Sequence, residues 1–217
     1  MILITHTFSQ NARSIWYHDH ADGITSSNCF RGLVGTYVIY DPEEDKLGLP
    51  TGKYDVPLMM SDKMYTDSGD LIQVGNEQND FIGDVMEVNG QPWPYLEVEP
   101  RKYRFRLYNT AVSRPFDLHV EQSNGDWLDF QVIASDSGLF GSPVQSSDVT
   151  MAMGERYEIV VDFSNFANQN LTLKNTFSLE GQGLAQFDNM DLVMSFVVGG
   201  SVSDWSSNEV SSILNQN

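Results

Sequence analysis

The sequence predicts an all-β fold, an antiparallel Greek-key β-sandwich, and three observations carry that expectation. From residue 56 onward apolar and polar residues alternate with period two, the pattern of strands with one buried face. No stretch of helical periodicity long enough to compete lies between these strands, so crossover helices and a parallel sheet are unsupported. The 12 Phe, 9 Tyr and 4 Trp add aromatic weight of the kind that pleated sheets bury well.

Taken in order, residues 1–7 (MILITHT) are apolar but lack the basic leader and the core length of a signal peptide, and read as a truncated or mis-assigned start. Strands are expected around residues 15–18 and 34–40. Two strands in 40 residues cannot bury a core, so residues 1–40 are expected to be the C-terminal part of a first domain whose beginning is missing. Residues 41–55 (DPEEDKLGLPTGKYD) hold two Pro, two Gly and a charge run, the composition of an exposed linker.

Beyond it, Asn89-Gly90 after DVMEV is a hairpin-type turn signal. In KYRFRLYN, Tyr103, Phe105 and Leu107 face one way and Lys102, Arg104 and Arg106 the other, which predicts a half-buried strand. The same alternation marks Phe116, Leu118 and Val120, then Phe130, Val132 and Ala134, then Tyr157, Ile159, Val161 and Phe163, and Leu171 and Leu173. LVMSFVV, ending at Val198, is a near-continuous apolar strand. About seven or eight such strands make residues 56–199 a complete sandwich, and the Gly, Ser and Asn of residues 200–217 predict a flexible tail with no core.

Charge narrows the partners. Twelve Lys and Arg against 30 Asp and Glu give −18, which repels the phosphates of a nucleic acid and an anionic membrane surface alike. No apolar run approaches the roughly 20 residues of a membrane span. The single cysteine, Cys29, has no intramolecular disulfide partner.

The strongest chemical signal is Trp16-Tyr17-His18-Asp19-His20-Ala21. On a strand, residues i and i+2 share a face with Cα atoms roughly 6.6 Å apart. His18 and His20 can therefore grip one metal ion, or hold one each of a pair about 3.5–4 Å apart. Asp19 then points the other way. A bare His-x-His also describes two polar residues on a solvated face, and the other histidines add little: His6 sits in the apolar leader, and His119 is expected to be solvated on the outward face of FDLHVE. Met151 and Met153 read as core filling, Glu43, Glu44 and Asp45 as a solvated linker face, and Asn170-Leu171-Thr172 as a glycosylation sequon whose use depends on secretion. No nucleophile with its base, phosphate loop or carboxylate pair is visible.

The surroundings of the histidines are far more specific than the histidines. WYHDHADGIT followed by RGLVGTYVIYDP resembles the second histidine motif of the multicopper oxidases, in the branch of bilirubin oxidase and the bacterial spore-coat laccase. YDVPLMMSDK, VNGQPWPYLEVEPRKYRFRLYN, AVSRPFDL, VIASDSGL and ERYEIVVDFS are similar to the second domain of the same enzymes, in the same order, so the likeness runs from about Ser14 to Val198.

That resemblance implies a cupredoxin-like (plastocyanin-like) fold within a three-domain enzyme. Such an enzyme oxidises bilirubin- or phenol-type substrates one electron at a time at a type 1 copper and reduces dioxygen to water at a trinuclear cluster. His18 and His20 match its type 3 copper ligands. The implied partners are dioxygen, a small organic reductant and the missing cupredoxin domains of the same enzyme, and the implied location is secreted or extracellular.

The upstream histidine motif and the two third-domain motifs have no counterpart in these 217 residues, and Cys29, with no histidine beside it, reads as a small buried or semi-buried thiol. The expectation is a fragment that contributes copper ligands and is inactive alone. The alternatives are a non-catalytic cupredoxin-like structural or interaction module with relic histidines, or a mononuclear His-x-His site completed by a carboxylate.

Overall fold

The structure is a computed structural model and describes residues 11–74, 81–177, 188–206 and 209–215. His6 and the apolar leader lie outside the described residues. The chain opens with strand β1 (Arg13–His18), helix α1 (Thr25–Phe30) and strand β2 (Val34–Ile39), then two 3-10 turns at Pro42–Leu47 and Gly52–Tyr54. There follow β3 (Asp55–Lys63), β4 (Val85–Val88), β5 (Gln91–Pro92), β6 (Tyr95–Val98), β7 (Lys102–Asn109) and β8 (Phe116–Glu121). The rest are β9 (Trp127–Leu128), β10 (Phe130–Ser135), β11 (Gly138–Ser146), β12 (Asp148–Met151), β13 (Arg156–Asp162), β14 (Asn170–Asn175) and β15 (Leu192–Val198).

Two sheets form the sandwich, one of seven strands in the order β11-β10-β13-β7-β3-β4-β5 and one of six in the order β12-β8-β14-β15-β6. After β7 the chain passes back and forth between them, as a Greek key requires. Two pairings depart from a purely antiparallel plan: β3 runs parallel to β7, and β6 parallel to β15. In each pair the intervening chain travels through other strands before returning, which frees it from the hairpin geometry that forces antiparallel neighbours. The expected turn at Asn89-Gly90 joins β4 to β5, with both residues at positive φ (52° and 76°). Between the sheets, Phe105 of β7 and Phe163, just past β13, pack on Phe196 of β15 with ring centroids 5.1 and 5.2 Å apart.

Several sequence expectations are corrected. β7 is buried on both faces, Arg104 and Arg106 being only 2% and 5% exposed. Arg104 reaches Glu158 and Glu44, while Arg106 binds Asp55 through two 2.7 Å hydrogen bonds and Glu158 at 2.9 Å. The polar face of this strand is dry because residues 41–55 and the β1–β2 hairpin cover it. The stretch read as an exposed linker thus buries Glu44, Leu49 and Tyr54, and Glu44 is an ion-pair partner rather than part of a solvated acidic face.

The tail, expected to lack a core, buries Leu214 against Leu49, Ile133 and Val160. His119 does face outward from β8, but the Trp127 ring stacks on it at 4.0 Å and shuts out water. Met151 fills the core as expected, whereas Met153 lies beyond the end of β12 and is exposed.

Candidate metal centre

β1 alternates as a strand should. Ser14 and Trp16 turn toward the sandwich: the Ser14 hydroxyl donates to Glu158 Oε1 (2.6 Å), and Trp16 Nε1 donates to the Gly154 carbonyl (3.2 Å). Gly138 lets the hairpin approach this closely, since a Cβ there would stand 2.5 Å from the Ala12 carbonyl oxygen. Opposite β1, β2 pairs Gly35 with Tyr17, and a Cβ on Gly35 would meet the Tyr17 ring at 2.4–2.8 Å.

His18 continues the face of Ser14 and Trp16 past the rim of the sandwich, with its ring 4.8 Å from the Trp16 ring. β1 ends there, so His20 is not a strand residue, yet its imidazole lies on the same side as that of His18. The two ring centroids are 5.9 Å apart and the ring planes are inclined by 25°. Both side chains are exposed.

His18 Nδ1 stands 2.7 Å from the Asp19 carbonyl oxygen. A carbonyl only accepts, so the neutral ring carries its proton on Nδ1 and leaves the Nε2 lone pair open, the state in which imidazole ligates a metal. The Asp19 carboxylate turns away from the rings, as the strand period predicts, and accepts from the Ala21 N–H (3.1 Å) and from Asn28 Nδ2 (2.8 Å). The Asn28 amide first, then the Ala21 N–H, hold the Asp19 carboxyl below its ordinary range. Sequence reading missed Asn28. The turn in which Asp19 accepts from the residue two ahead was legible as an Asx-turn, but the partner nine residues on was not.

The donors fit a soft or borderline metal such as copper, for which neutral imidazole is an apt ligand. They are a partial set: among the described residues, no group of three or more His, Cys, Asp or Glu side chains is placed to hold a metal ion. Cys29 is not brought in as a third ligand, and burial first, then the Asp19 charge, push its thiol up, away from the thiolate that would ligate. His119 is remote in the fold, on the outer face of the six-stranded sheet, where neither ring nitrogen has a hydrogen-bond partner among the described residues and Glu121 stands 3.8 Å away. Asn170 of the sequon is exposed at the start of β14.

No family model matches the chain. Among curated proteins, bilirubin oxidase of Albifimbria verrucaria is 48% identical over 195 residues, covering 87% of this chain and 34% of that protein. A laccase of Bacillus subtilis (strain 168) is 39% identical over 184 residues, covering 79% of this chain and 35% of the laccase. The crystal structure of the 2F4 variant of McoA, a multicopper oxidase of the hyperthermophile Aquifex aeolicus, superposes with a TM-score of 0.84 at 31% identity. That match covers 95% of this chain and 46% of the other. The chain thus spans about a third of the length of the curated relatives it matches.

Proposed function

Because the chain belongs to the multicopper oxidase family, in the branch of bilirubin oxidase and the Bacillus laccases, we propose that His18 and His20 are copper ligands of a type 3 pair. The pair would be part of a trinuclear cluster in an oxidase that draws electrons from a bilirubin- or phenol-type reductant and reduces dioxygen to water. The observation that carries the reading is the pair of imidazoles on one side of the chain, with ring centroids 5.9 Å apart and Nδ1 of His18 2.7 Å from the Asp19 carbonyl oxygen. Copper, when bound, supplies one-electron redox chemistry and a site for dioxygen. The protein's own part is to hold two imidazoles at the sandwich rim and to fix the backbone that orients them.

In this reading residues 1–40 close one cupredoxin domain and residues 56–199 form the next. The remaining cluster ligands and the type 1 copper come from parts that correspond to the rest of the relatives' length. The exposed Tyr17, Leu33, Tyr37 and Tyr40 offer apolar surface on which such cupredoxin domains would pack. With two candidate ligands among the described residues for three coppers, the chain by itself is expected to bind Cu(II) but not to consume dioxygen with a phenolic substrate.

Titration with Cu(II), followed by electron paramagnetic resonance, tests this. Binding should be lost in the double variant His18→Ala, His20→Ala, and binding that survives the double variant would refute the assignment. The exposure of both histidines also suits a second reading, a cupredoxin-like structural or interaction module with relic histidines. That reading predicts no Cu(II) binding by the unaltered chain.

A further inference from the structure

Resting on the copper reading, we propose that Asn28 is a positioning residue of the metal centre: acting through Asp19, it presets His18 with the proton on Nδ1 and Nε2 open to copper. Asn28 lies inside α1, eight residues after His20 and ten after His18, but is joined to their segment by a closed circuit of hydrogen bonds. Its side-chain amide donates to Asp19 Oδ2 (2.8 Å), its main-chain carbonyl accepts from the Leu33 N–H (3.0 Å), and the Leu33 carbonyl accepts from the Asp19 N–H (3.4 Å). The same Asp19 oxygen accepts from the Ala21 N–H, and the Ala21 carbonyl accepts from the Thr25 hydroxyl (2.8 Å).

Asp19 and Ala21, on either side of His20, are therefore both tied to α1. The peptide unit between Asp19 and His20 can turn little, and its carbonyl is the one that accepts from His18 Nδ1. A free imidazole in water exchanges between both tautomers, whereas this carbonyl selects one. Helix formation does not account for the bond from Asn28, because α1 has no side-chain cap at its start and the bond runs from its interior to the histidine motif. Linked hydrogen bonds of this kind orient metal-binding imidazoles from behind.

The test uses the full chain labelled with 15N, at a pH where histidine is neutral. In the unaltered protein, His18 should show a protonated Nδ1 and a bare Nε2. In Asn28→Ala the His18 signals should move toward a mixture of tautomers, and Cu(II) affinity should fall about tenfold, the low end for outer-shell partners. Asn28→Asp sets a second carboxylate against Asp19 and should lose at least as much. Asn28→Leu, close in shape and without the donor, repeats the measurement should Asn28→Ala fail to fold.

A folded variant with unchanged tautomer and unchanged affinity overturns the role of Asn28, as does a protonated Nε2 on His18 in the unaltered chain. Failure of the copper reading looks different: the unaltered chain binds no Cu(II), while the tautomer measurement still decides the role of Asn28.

Discussion

Glu158 is one of the residues through which the β1–β2 hairpin and the sandwich are joined. It is 2% exposed and receives hydrogen bonds from Arg104, Arg106 and Ser14. Burial pushes its carboxyl up, but Arg104 and Arg106 outweigh that, and together with the hydrogen bonds they hold it below its ordinary 4.5. Glu158→Ala strips a hydrogen-bond partner from both arginines and from Ser14, and breaking a buried pair on one side costs about 3 kcal/mol or more. Denaturant unfolding measures this, and a loss under about 1 kcal/mol, the range of an exposed pair, would contradict the structure. The pH dependence follows from linkage: a carboxyl depressed on folding stabilises fully above its unfolded value and loses that contribution as pH falls through the folded value. Glu158→Gln should therefore flatten the acid-side slope of stability below about pH 4.5. The residues legible from sequence alone were those whose neighbours are near in the chain. His18 and His20 stand out through the residues immediately around them, whereas the burial of His119 depends on Trp127, whose ring reaches over it from the next strand.

At the scale of elements, alternation located the strands well: β7, β8, β10, β13, β14 and β15 lie where the apolar residues repeat every second position. Short elements escaped, among them α1 and the two 3-10 turns, because three to six residues carry too little periodicity to register. The tail escaped for a related reason. Its apolar residues are few and irregularly spaced, and only docking shows their use. Leu214 is 5% exposed, its N–H donates to the Gly141 carbonyl (3.0 Å), and the Ser211 N–H donates to the Leu47 carbonyl (2.8 Å). Leu214→Ala should cost about 2–4 kcal/mol, as core leucine truncations do. A thermal melt shifted no further than those of exposed-leucine variants would show that the tail is not anchored there.

For the whole molecule, the charge of −18 is distributed unevenly. Arg104, Arg106 and Arg114 are buried in pairs with acidic partners, so they do little to offset the remaining surface acids. Such a surface repels itself, and salt screens exposed charges within about 10 Å at 0.1 M while leaving buried pairs almost untouched. Raising NaCl from low to physiological strength should therefore raise Tm, and a fall would mean that exposed ion pairs outweigh the repulsion.

The sequence by itself determined the all-β class, the positions of the strands with clear alternation, such as β7, β8 and β13, and the spacing of the two histidines. Those features rest on backbone geometry of period two and on residues within a few positions of one another. The tertiary structure decided which faces are dry, that the supposed linker and tail are packed, that β3 lies parallel to β7, and that Asn28 stands behind Asp19. Each of those depends on chain segments brought together by the burial of two sheets against each other, and no local pattern encodes which distant segment will cover a polar face.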